Sequence, residues 1–167
     1  MNCIVNVDKN FSIGYEGDLQ VRLSPDLKRF KDFTVGNIII YGRNTLATFP
    51  KERPLPKRKN IILTTRKDLE ESNDVHVCHS LEELFDLKER LIEEGYSEDQ
   101  FFVCGGESVY RQLLPYVKKI YITQMEVELP SDSYFPSLGD EWKITYESDM
   151  QESDGIKYRY VNYEREE

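Results

Sequence analysis

The sequence has no apolar run of the roughly 20 residues needed to cross a bilayer, so no transmembrane helix is predicted. Residues 1–8 show no basic leader followed by an apolar segment, so no signal peptide is predicted and a cytoplasmic protein is expected. Basic residues are in the minority: 22 Lys and Arg stand against 31 Asp and Glu, giving a formal net charge of -9. This charge argues against binding nucleic acid or an anionic membrane surface through bulk electrostatics, and an anionic ligand would need a local basic patch.

Cysteine is scarce, and its spacing indicates neither disulfides nor a metal site. Cys3, Cys78 and Cys104 lie in separate apolar segments, so we expect reduced, structural thiols. The run from His76 to His79 contains two histidines and one cysteine. Strand alternation would put His76 and Cys78 on one face and His79 on the other, so no metal is predicted.

Runs of consecutive apolar residues predict the fold. Residues 37–41 and 60–65 are apolar without clean alternation, which is typical of strands covered on both faces of a parallel sheet. The last two predicted strands are separated by a polar stretch, 149–155, too short for a crossover helix, which indicates an antiparallel hairpin. We predict one α/β domain over residues 1–167, a three-layer sandwich whose mainly parallel sheet has about eight strands and a C-terminal antiparallel hairpin. The predicted strands are 2–7, 37–41, 60–65, 75–78, 101–104, 118–125, 142–149 and 157–164, and the predicted helices are 25–34, 44–49, 81–94 and 107–114.

The first predicted helix carries a carboxylate on an apolar face. With Ser24 as its N-cap and Pro25 in its first turn, the helix places Asp26 at nearly the same azimuth as Phe30 and Phe33. Such an acid would bind a flat heterocycle that is cationic or donates hydrogen bonds. Acids are also favoured in the first turn of any helix because they complement the macrodipole, so a purely structural role is the alternative.

The Rossmann glycine fingerprint and the P-loop motif are both absent, but two other strand-to-helix turns are suited to phosphate. One is Gly105-Gly106 and the other is Gly42-Arg43-Asn44-Thr45. Backbone N–H groups at helix starts bind anions, although a double glycine is often only a tight connection. Thr64, Thr65 and Arg66 follow a third strand, and arginines with hydroxyls at strand ends suit an adenosine 2′-phosphate, which favours NADPH over NADH.

The basic stretch 51–59 is interpreted for the most part as a solvated loop stiffened by prolines. Arg58 is the exception. It stands next to a predicted strand start, where its planar guanidinium could bind a substrate carboxylate bidentately.

These segments together resemble the dihydrofolate reductase family in order and spacing over nearly the whole chain. The resemblance rests on Ile13-Gly14, Asp26 with Phe30, Gly42 to Thr45, Pro54 to Asn60, Gly105-Gly106, Tyr121-Ile122-Thr123, Asp132 to Pro136 and Tyr158-Arg159-Tyr160. It implies hydride transfer from NADPH to C6 of 7,8-dihydrofolate, with protonation of the neighbouring nitrogen to give tetrahydrofolate. It also implies that antifolate inhibitors are possible ligands and that the protein is a monomer.

The resemblance also assigns site residues. Asp26 would bind the amino-pyrimidine edge of the pterin and promote protonation, with Thr123 hydrogen-bonded behind it, and Arg58 would anchor the glutamate carboxylate. Ile13 and Gly14 would begin a mobile loop over the nicotinamide, and the peptide bond between Gly105 and Gly106 is commonly cis in the family. The implied substrate residues are Val5, Asn6, Asp26, Phe30, Phe49, Leu55, Arg58, Cys104 and Thr123. The implied cofactor residues are Asn6, Ile13, Gly14, Gly42, Arg43, Asn44, Thr45, Thr64, Thr65, Arg66, Cys104, Gly105, Gly106, Glu107, Ser108, Val109 and Tyr110.

Three positions depart from the family pattern. Gln20 and Val21 stand where many members carry proline and tryptophan, and Asn6 stands where a small alanine is common. The alternatives are therefore a same-fold NADPH-dependent reductase of a pyrimidine intermediate in riboflavin synthesis, and a folate- or dinucleotide-binding protein without turnover. Asp26 on its aromatic helix, together with Arg58, favours the folate substrate.

Overall fold

The computed structural model describes residues 1–166, which form twelve strands, four α-helices and three short 3-10 turns. The strands are β1 (Asn2–Val7), β2 (Ser12–Tyr15), β3 (Asp18–Leu19), β4 (Ile38–Gly42), β5 (Lys59–Leu63), β6 (Val75–Cys78), β7 (Phe101–Gly105), β8 (Lys119–Met125), β9 (Ser133–Tyr134), β10 (Trp142–Glu147), β11 (Gln151–Ser153) and β12 (Ile156–Arg165). The helices are α1 (Ser24–Thr34), α2 (Arg43–Leu46), α3 (Leu81–Glu93) and α4 (Glu107–Leu113), and the 3-10 turns are Pro50–Glu52, Glu98–Gln100 and Leu114–Tyr116.

The central sheet has the strand order β10-β12-β8-β1-β7-β4-β5-β6, and β11 pairs with β12 outside this path. Strands β8, β1, β7, β4, β5 and β6 run parallel, while β10, β11 and β12 add antiparallel pairs at one edge. The prediction of a mainly parallel sheet with a C-terminal antiparallel hairpin is confirmed. The polar stretch between the hairpin strands contains β11, which the sequence did not indicate.

The consecutive apolar residues of β4 divide between two layers. Ile38 and Ile40 pack in a core with α3 and α4, whereas Ile39 and Tyr41 pack with α1 and α2 on the opposite face. Successive side chains of a strand point to opposite faces, so a strand covered on both faces must be apolar throughout. The three-layer sandwich follows from this pattern.

Two helix predictions need correction. The carbonyl of Leu23 accepts hydrogen bonds from the N–H groups of Asp26 and Leu27, so Leu23 is the N-cap, and the prediction of Ser24 as the cap is wrong. Helix α2 was predicted to reach residue 49 but ends at Leu46. Phe49 precedes a proline, which disfavours the helical region at that position, and Phe49 is extended.

The sequence did not predict the small second sheet, of order β3-β2-β9. Its strands are two to four residues long, too short for an alternating pattern to be read. Within residues 1–166, no helix is long and apolar enough to cross a membrane.

The parallel ladder opens between β1 and β7, and this opening positions the site. The two strands pair only at Asn2 with Phe102 and at Cys3 with Val103, whereas β1 pairs with β8 along its whole length. Beyond Cys3 the carboxyl-terminal half of β1 therefore separates from β7. Crevices at the carboxyl ends of parallel strands are where α/β proteins bind ligands.

Candidate active site

A cleft of about 960 Å³ lies at the carboxyl ends of β1, β4 and β7. It is lined by residues from both predicted halves of the site. From the predicted substrate half it contains Val5, Asn6, Asp26, Phe30, Phe49, Leu55, Arg58 and Cys104. From the predicted cofactor half it contains Ile13, Gly14, Asn44, Thr45, Gly105, Gly106, Glu107, Ser108, Val109 and Tyr110, with Asn6 and Cys104 shared between the two.

Asp26 is held by two strands of the sheet. The amide nitrogen Nδ2 of Asn6 donates a hydrogen bond to Oδ2 of Asp26 at 3.0 Å, and the hydroxyl of Thr123 donates to Oδ1. Asn6 on β1 and Thr123 on β8 are register partners in a parallel pair, so their side chains share one face. Helix α1 covers that face, and each oxygen of Asp26 therefore receives one hydrogen bond from the sheet.

The environment of Asp26 favours its protonated form relative to an ordinary aspartic acid. Burial raises the pKa of this carboxyl group, while the hydrogen bonds from Thr123 and Asn6 and the charge of Arg29 oppose the rise. A first-turn acid that only complements the helix dipole would remain solvated and ionised. The contacts of Asp26 with two strands go beyond that alternative.

The aromatic face of α1 is divided between the cleft and the core. Phe30 lines the cleft, as do Phe49 and Leu55 from the segment between α2 and β5. Phe33, which the sequence placed on the same face, instead packs against Tyr121 and Phe102 with ring centroids 4.7 and 6.0 Å apart. It shares the azimuth of Asp26 but lies seven residues along the helix, about 10 Å away and beyond the cleft.

Arg58 lies immediately before β5, as predicted, and is only 9% exposed. Its Nε donates to Oγ1 of Thr34 at 2.9 Å and its Nη1 donates to the carbonyl of Pro56 at 2.8 Å. These bonds fix the plane of the guanidinium group at the rim of the cleft. Of the other basic residues of this stretch, Lys51, Arg53 and Lys57 are exposed, in agreement with their interpretation as solvated charges, whereas Lys59 is half-buried in β5.

The paired glycines form the floor of the other half. The peptide bond between Gly105 and Gly106 is cis, as the family resemblance implies. Gly105 has φ +124, and a Cβ there would lie 3.1 Å from Oγ1 of Thr45, so only glycine fits without strain. Nearby, the hydroxyl of Tyr110 donates to the carbonyl of Ile4 at 2.7 Å, which satisfies a β1 acceptor where the ladder with β7 has opened.

Six predicted residues do not line the cleft: Thr123, Gly42, Arg43, Thr64, Thr65 and Arg66. Thr123 lies behind Asp26. Gly42 is buried at the end of β4, where a Cβ would meet Cγ2 of Val109 at 3.0 Å. The glycine lets α4 approach the sheet closely.

Arg43 and Arg66 are brought together by an acid that the sequence did not indicate. Asp68 accepts from Nη1 of Arg43 at 3.1 Å and from Nη2 of Arg66 at 3.3 Å. Thr64 is adjacent, and its Oγ1 accepts from the backbone N–H of Arg66 at 3.2 Å. The predicted phosphate-binding residues therefore form one partly exposed polar cluster, in which Asp68 already pairs with both arginines.

Gln20 is a further residue whose contacts the sequence did not predict. Its Nε2 donates to Oγ of Ser12 and to the carbonyl of Pro130, both at 2.9 Å. Gln20 thereby joins the segment after β3 to β2 and to the loop before β9. Pro130 is 110 residues from Gln20, so no local pattern could have indicated that Gln20 connects these two segments.

The part of the chain that the structure describes contains no cluster of three or more His, Cys, Asp or Glu side chains suited to a metal ion, and all three cysteines are free thiols. Burial raises the pKa of Cys3, Cys78 and Cys104, which keeps them protonated near neutral pH.

Comparison with known proteins agrees with the geometry. The family model described as dihydrofolate reductase matches residues 1–165. The chain is similar to a dihydrofolate reductase of Staphylococcus haemolyticus, with 36% identity over 168 residues that cover 99% of this chain and 95% of the relative. It is 33% identical to those of Drosophila melanogaster and Bacillus subtilis, over 98% and 97% of this chain and 97% and 92% of the relatives. The chain belongs to the dihydrofolate reductase family.

Membership of the dihydrofolate reductase family accounts for the two halves of the cleft. The family implies a nicotinamide dinucleotide cofactor and dihydrofolate as substrate. Two flat rings must then meet in one cavity, and residues from both predicted sets line the same 960 Å³ cleft. The α/β fold, with its mainly parallel sheet, is also consistent with this family.

Proposed function

We propose that this chain reduces 7,8-dihydrofolate to 5,6,7,8-tetrahydrofolate with NADPH as the hydride donor. The observation that carries the proposal is Asp26, held by Asn6 and Thr123 in the same cleft as the Gly105-Gly106 turn. Membership of the dihydrofolate reductase family supports this reaction. The riboflavin-type reductase and the binding protein without turnover are not favoured.

The residues of the cofactor half fit a dinucleotide. Gly105 and Gly106 present bare backbone to the cleft, and the N–H groups at the start of α4 suit a pyrophosphate. NADPH supplies the hydride when it is bound. Thr45 and the segment from Gly105 to Tyr110 would hold the pyrophosphate and the nicotinamide, with Ile13 and Gly14 covering the ring.

The preference for NADPH over NADH is assigned to the cluster of Arg43, Thr64, Thr65 and Arg66. Guanidinium groups bind phosphate through charge-assisted hydrogen bonds, which an unphosphorylated ribose does not form. The pairing of both arginines with Asp68 supports this assignment, because it holds them at one place beside the end of β5. A 2′-phosphate would compete with Asp68 for them.

Asp26 is assigned two tasks, which follow from its hydrogen-bonding capacity. Each of its oxygens accepts one bond from the protein and retains a lone pair for the two N–H donors of an amino-pyrimidine edge. Asp26 then faces the pyrimidine edge rather than the nitrogen beside C6. The proton for that nitrogen is accordingly delivered through solvent, and Asp26 promotes its uptake by stabilising a protonated pterin.

The apolar walls of the cleft are assigned to bind the rings of the substrate. Phe30, Phe49 and Leu55 would pack on the pterin and the benzoyl group, exclude water and hold the pterin face to face with the nicotinamide. Arg58 would bind the glutamate carboxylate. Antifolates with a diaminopyrimidine ring would compete for Asp26.

The test is the loss of NADPH absorbance at neutral pH with 7,8-dihydrofolate, against controls with no substrate and with NADH. We expect rapid oxidation that prefers NADPH. In Asp26→Asn, the turnover should fall by about 10²- to 10⁴-fold, the range of a positioned acid–base group, while NADPH binding is retained. Saturable binding of both ligands without oxidation would indicate a binding protein, and a steady-state rate unchanged by Asp26→Asn across pH would refute the role of Asp26.

A further inference from the structure

Asn6 is placed to control Asp26 from the sheet side. Its Nδ2 lies 3.0 Å from Oδ2 of Asp26, while Thr123 serves the other oxygen. Its own carbonyl oxygen, Oδ1, is buried and has no hydrogen-bond partner within residues 1–166. The amide group of Asn6 therefore donates to a carboxylate on one side and leaves a buried oxygen unpaired on the other, and an unpaired buried polar atom is destabilising.

We propose that Asn6 is a positioning residue for Asp26, which fixes the orientation of its carboxylate and sets the pH range over which dihydrofolate is reduced. This inference rests on the proposed function. It follows from the sheet register, since Asn6 and Thr123 pair directly and aim two donors at the two oxygens of one acid. Two hydrogen bonds from adjacent strands fix the plane of the carboxylate, whereas a single hydrogen bond would leave the carboxylate free to rotate.

The other groups around Asp26 leave Asn6 with a distinct role. The charged or titratable side chains facing Asp26 are Arg29 from α1 itself, Tyr110 from α4 and Tyr160 from β12. Burial raises the pKa of both tyrosines, so they are neutral near neutral pH. Arg29 remains charged, but its guanidinium carbon stacks 3.9 Å from the ring centroid of Tyr160, and no hydrogen bond from it to Asp26 is present in the described chain.

The donated bond stabilises the ionised form of Asp26 against burial. A hydrogen bond to the charged form of an acid lowers its pKa, whereas burial raises it. Removing the bond from Asn6 should therefore raise the pKa of the Asp26 carboxyl group. In the free enzyme, this change moves the transition in the pH profile of kcat/KM to higher pH. The less constrained carboxylate should also raise the KM for dihydrofolate.

The test compares Asn6→Leu, which keeps the approximate shape but removes both hydrogen-bonding groups, with the wild type. We expect the pH midpoint of kcat/KM to move up by about one unit, the size of a single strong local interaction. Asn6→Asp should move the midpoint further in the same direction, because two carboxylates then face each other. The matched control is Asn2→Leu, which removes a buried amide from the same strand at the end remote from the cleft and should leave the midpoint unchanged.

A carbon-13 titration of the Asp26 carboxyl group in the ligand-free protein separates this inference from the proposed function. A raised midpoint in Asn6→Leu, with normal values in Asn2→Leu, would support the positioning role even if dihydrofolate were not reduced. A midpoint that does not move in either Asn6 variant would overturn it, whatever happens to the rate. If Asn6→Leu does not fold, Asn6→Ala, which also removes both hydrogen-bonding groups, provides the same titration.

Discussion

Replacing Arg58 with alanine should weaken productive binding of dihydrofolate by about 100-fold while leaving turnover at saturating substrate nearly unchanged. A guanidinium group has five N–H donors, and two of those of Arg58 donate to Thr34 and Pro56, which leaves three. Two suffice for a bidentate carboxylate. Hydrogen bonds to charged groups contribute about 1.5–3 kcal/mol each, and the lower figure for two bonds gives about 3 kcal/mol, or about 100-fold.

The effect should fall on KM rather than on kcat because the glutamate carboxylate is remote from the reacting atoms and is bound equally in the ground and transition states. The assay is steady-state kinetics with dihydrofolate and with a 6-methyl-7,8-dihydropterin, which lacks the benzoylglutamate tail. Only the first substrate should lose kcat/KM. Arg53→Ala is the matched control, since Arg53 belongs to the same loop but is exposed and does not line the cleft.

Two further variants separate charge from orientation. Arg58→Lys keeps a positive charge but loses the planar fork, so it should recover only part of the affinity. Thr34→Val removes the acceptor that orients Nε and should cost about 1 kcal/mol, or about fivefold in KM. The guanidinium carbon of Arg58 lies 5.9 Å from the ring centroid of Phe30. An equal loss of kcat/KM for both substrates in Arg58→Ala would refute the reasoning, because Arg58 would then act by packing against this ring.

Two other predictions concern the acid and the cofactor. Asp26→Asn should stabilise the protein relative to the wild type increasingly as pH rises above about 4, the ordinary aspartate pKa. The reason is that the folded wild type binds its proton more tightly than the unfolded chain, so its free energy of unfolding falls between the unfolded and folded pKa values and then levels off. Urea unfolding at several pH values measures this, and a stability difference independent of pH would contradict it. Arg43→Ala should weaken the binding of NADPH by about fivefold, the size of an exposed ion pair, with little effect on the binding of NADH. Asp68 is then paired with Arg66 alone, so less positive charge is left for the 2′-phosphate, which NADH lacks. Equal losses in Kd for the two cofactors would show that Arg43 does not bind the 2′-phosphate.

The features predictable from the sequence are those set by local periodicity. The unbroken apolar runs of β4 and β5 indicated strands buried on both faces, and the sheet confirms this. The helical spacing of Asp26 and Phe30 placed both side chains in one cleft. Azimuth alone failed at Phe33, because the axial rise over two helical turns carries a side chain beyond the cleft even when its direction is right.

The features that the sequence did not reveal depend on contacts between distant segments. Asp68 lies 25 residues from Arg43, and the partners of Gln20 are on β2 and before β9. No spacing rule connects such positions.

The Ser24 cap was a local prediction that failed, because the first helical hydrogen bonds close on the carbonyl of Leu23 one residue earlier.

The opening of the ladder between β1 and β7 connects the fold to the chemistry. If the pairing continued past Cys3, the edge of β1 at Ile4 would be closed by hydrogen bonds to β7 and no cleft would form there. The hydroxyl of Tyr110 satisfies the acceptor of Ile4, which removes part of the cost of leaving the edge unpaired. Because β1 stays fully paired with β8 on its other side, Asn6 and Thr123 remain in register beneath Asp26. One interruption of regular pairing therefore creates the cavity, while the intact pairing beside it supplies the rigid support that a buried acid requires.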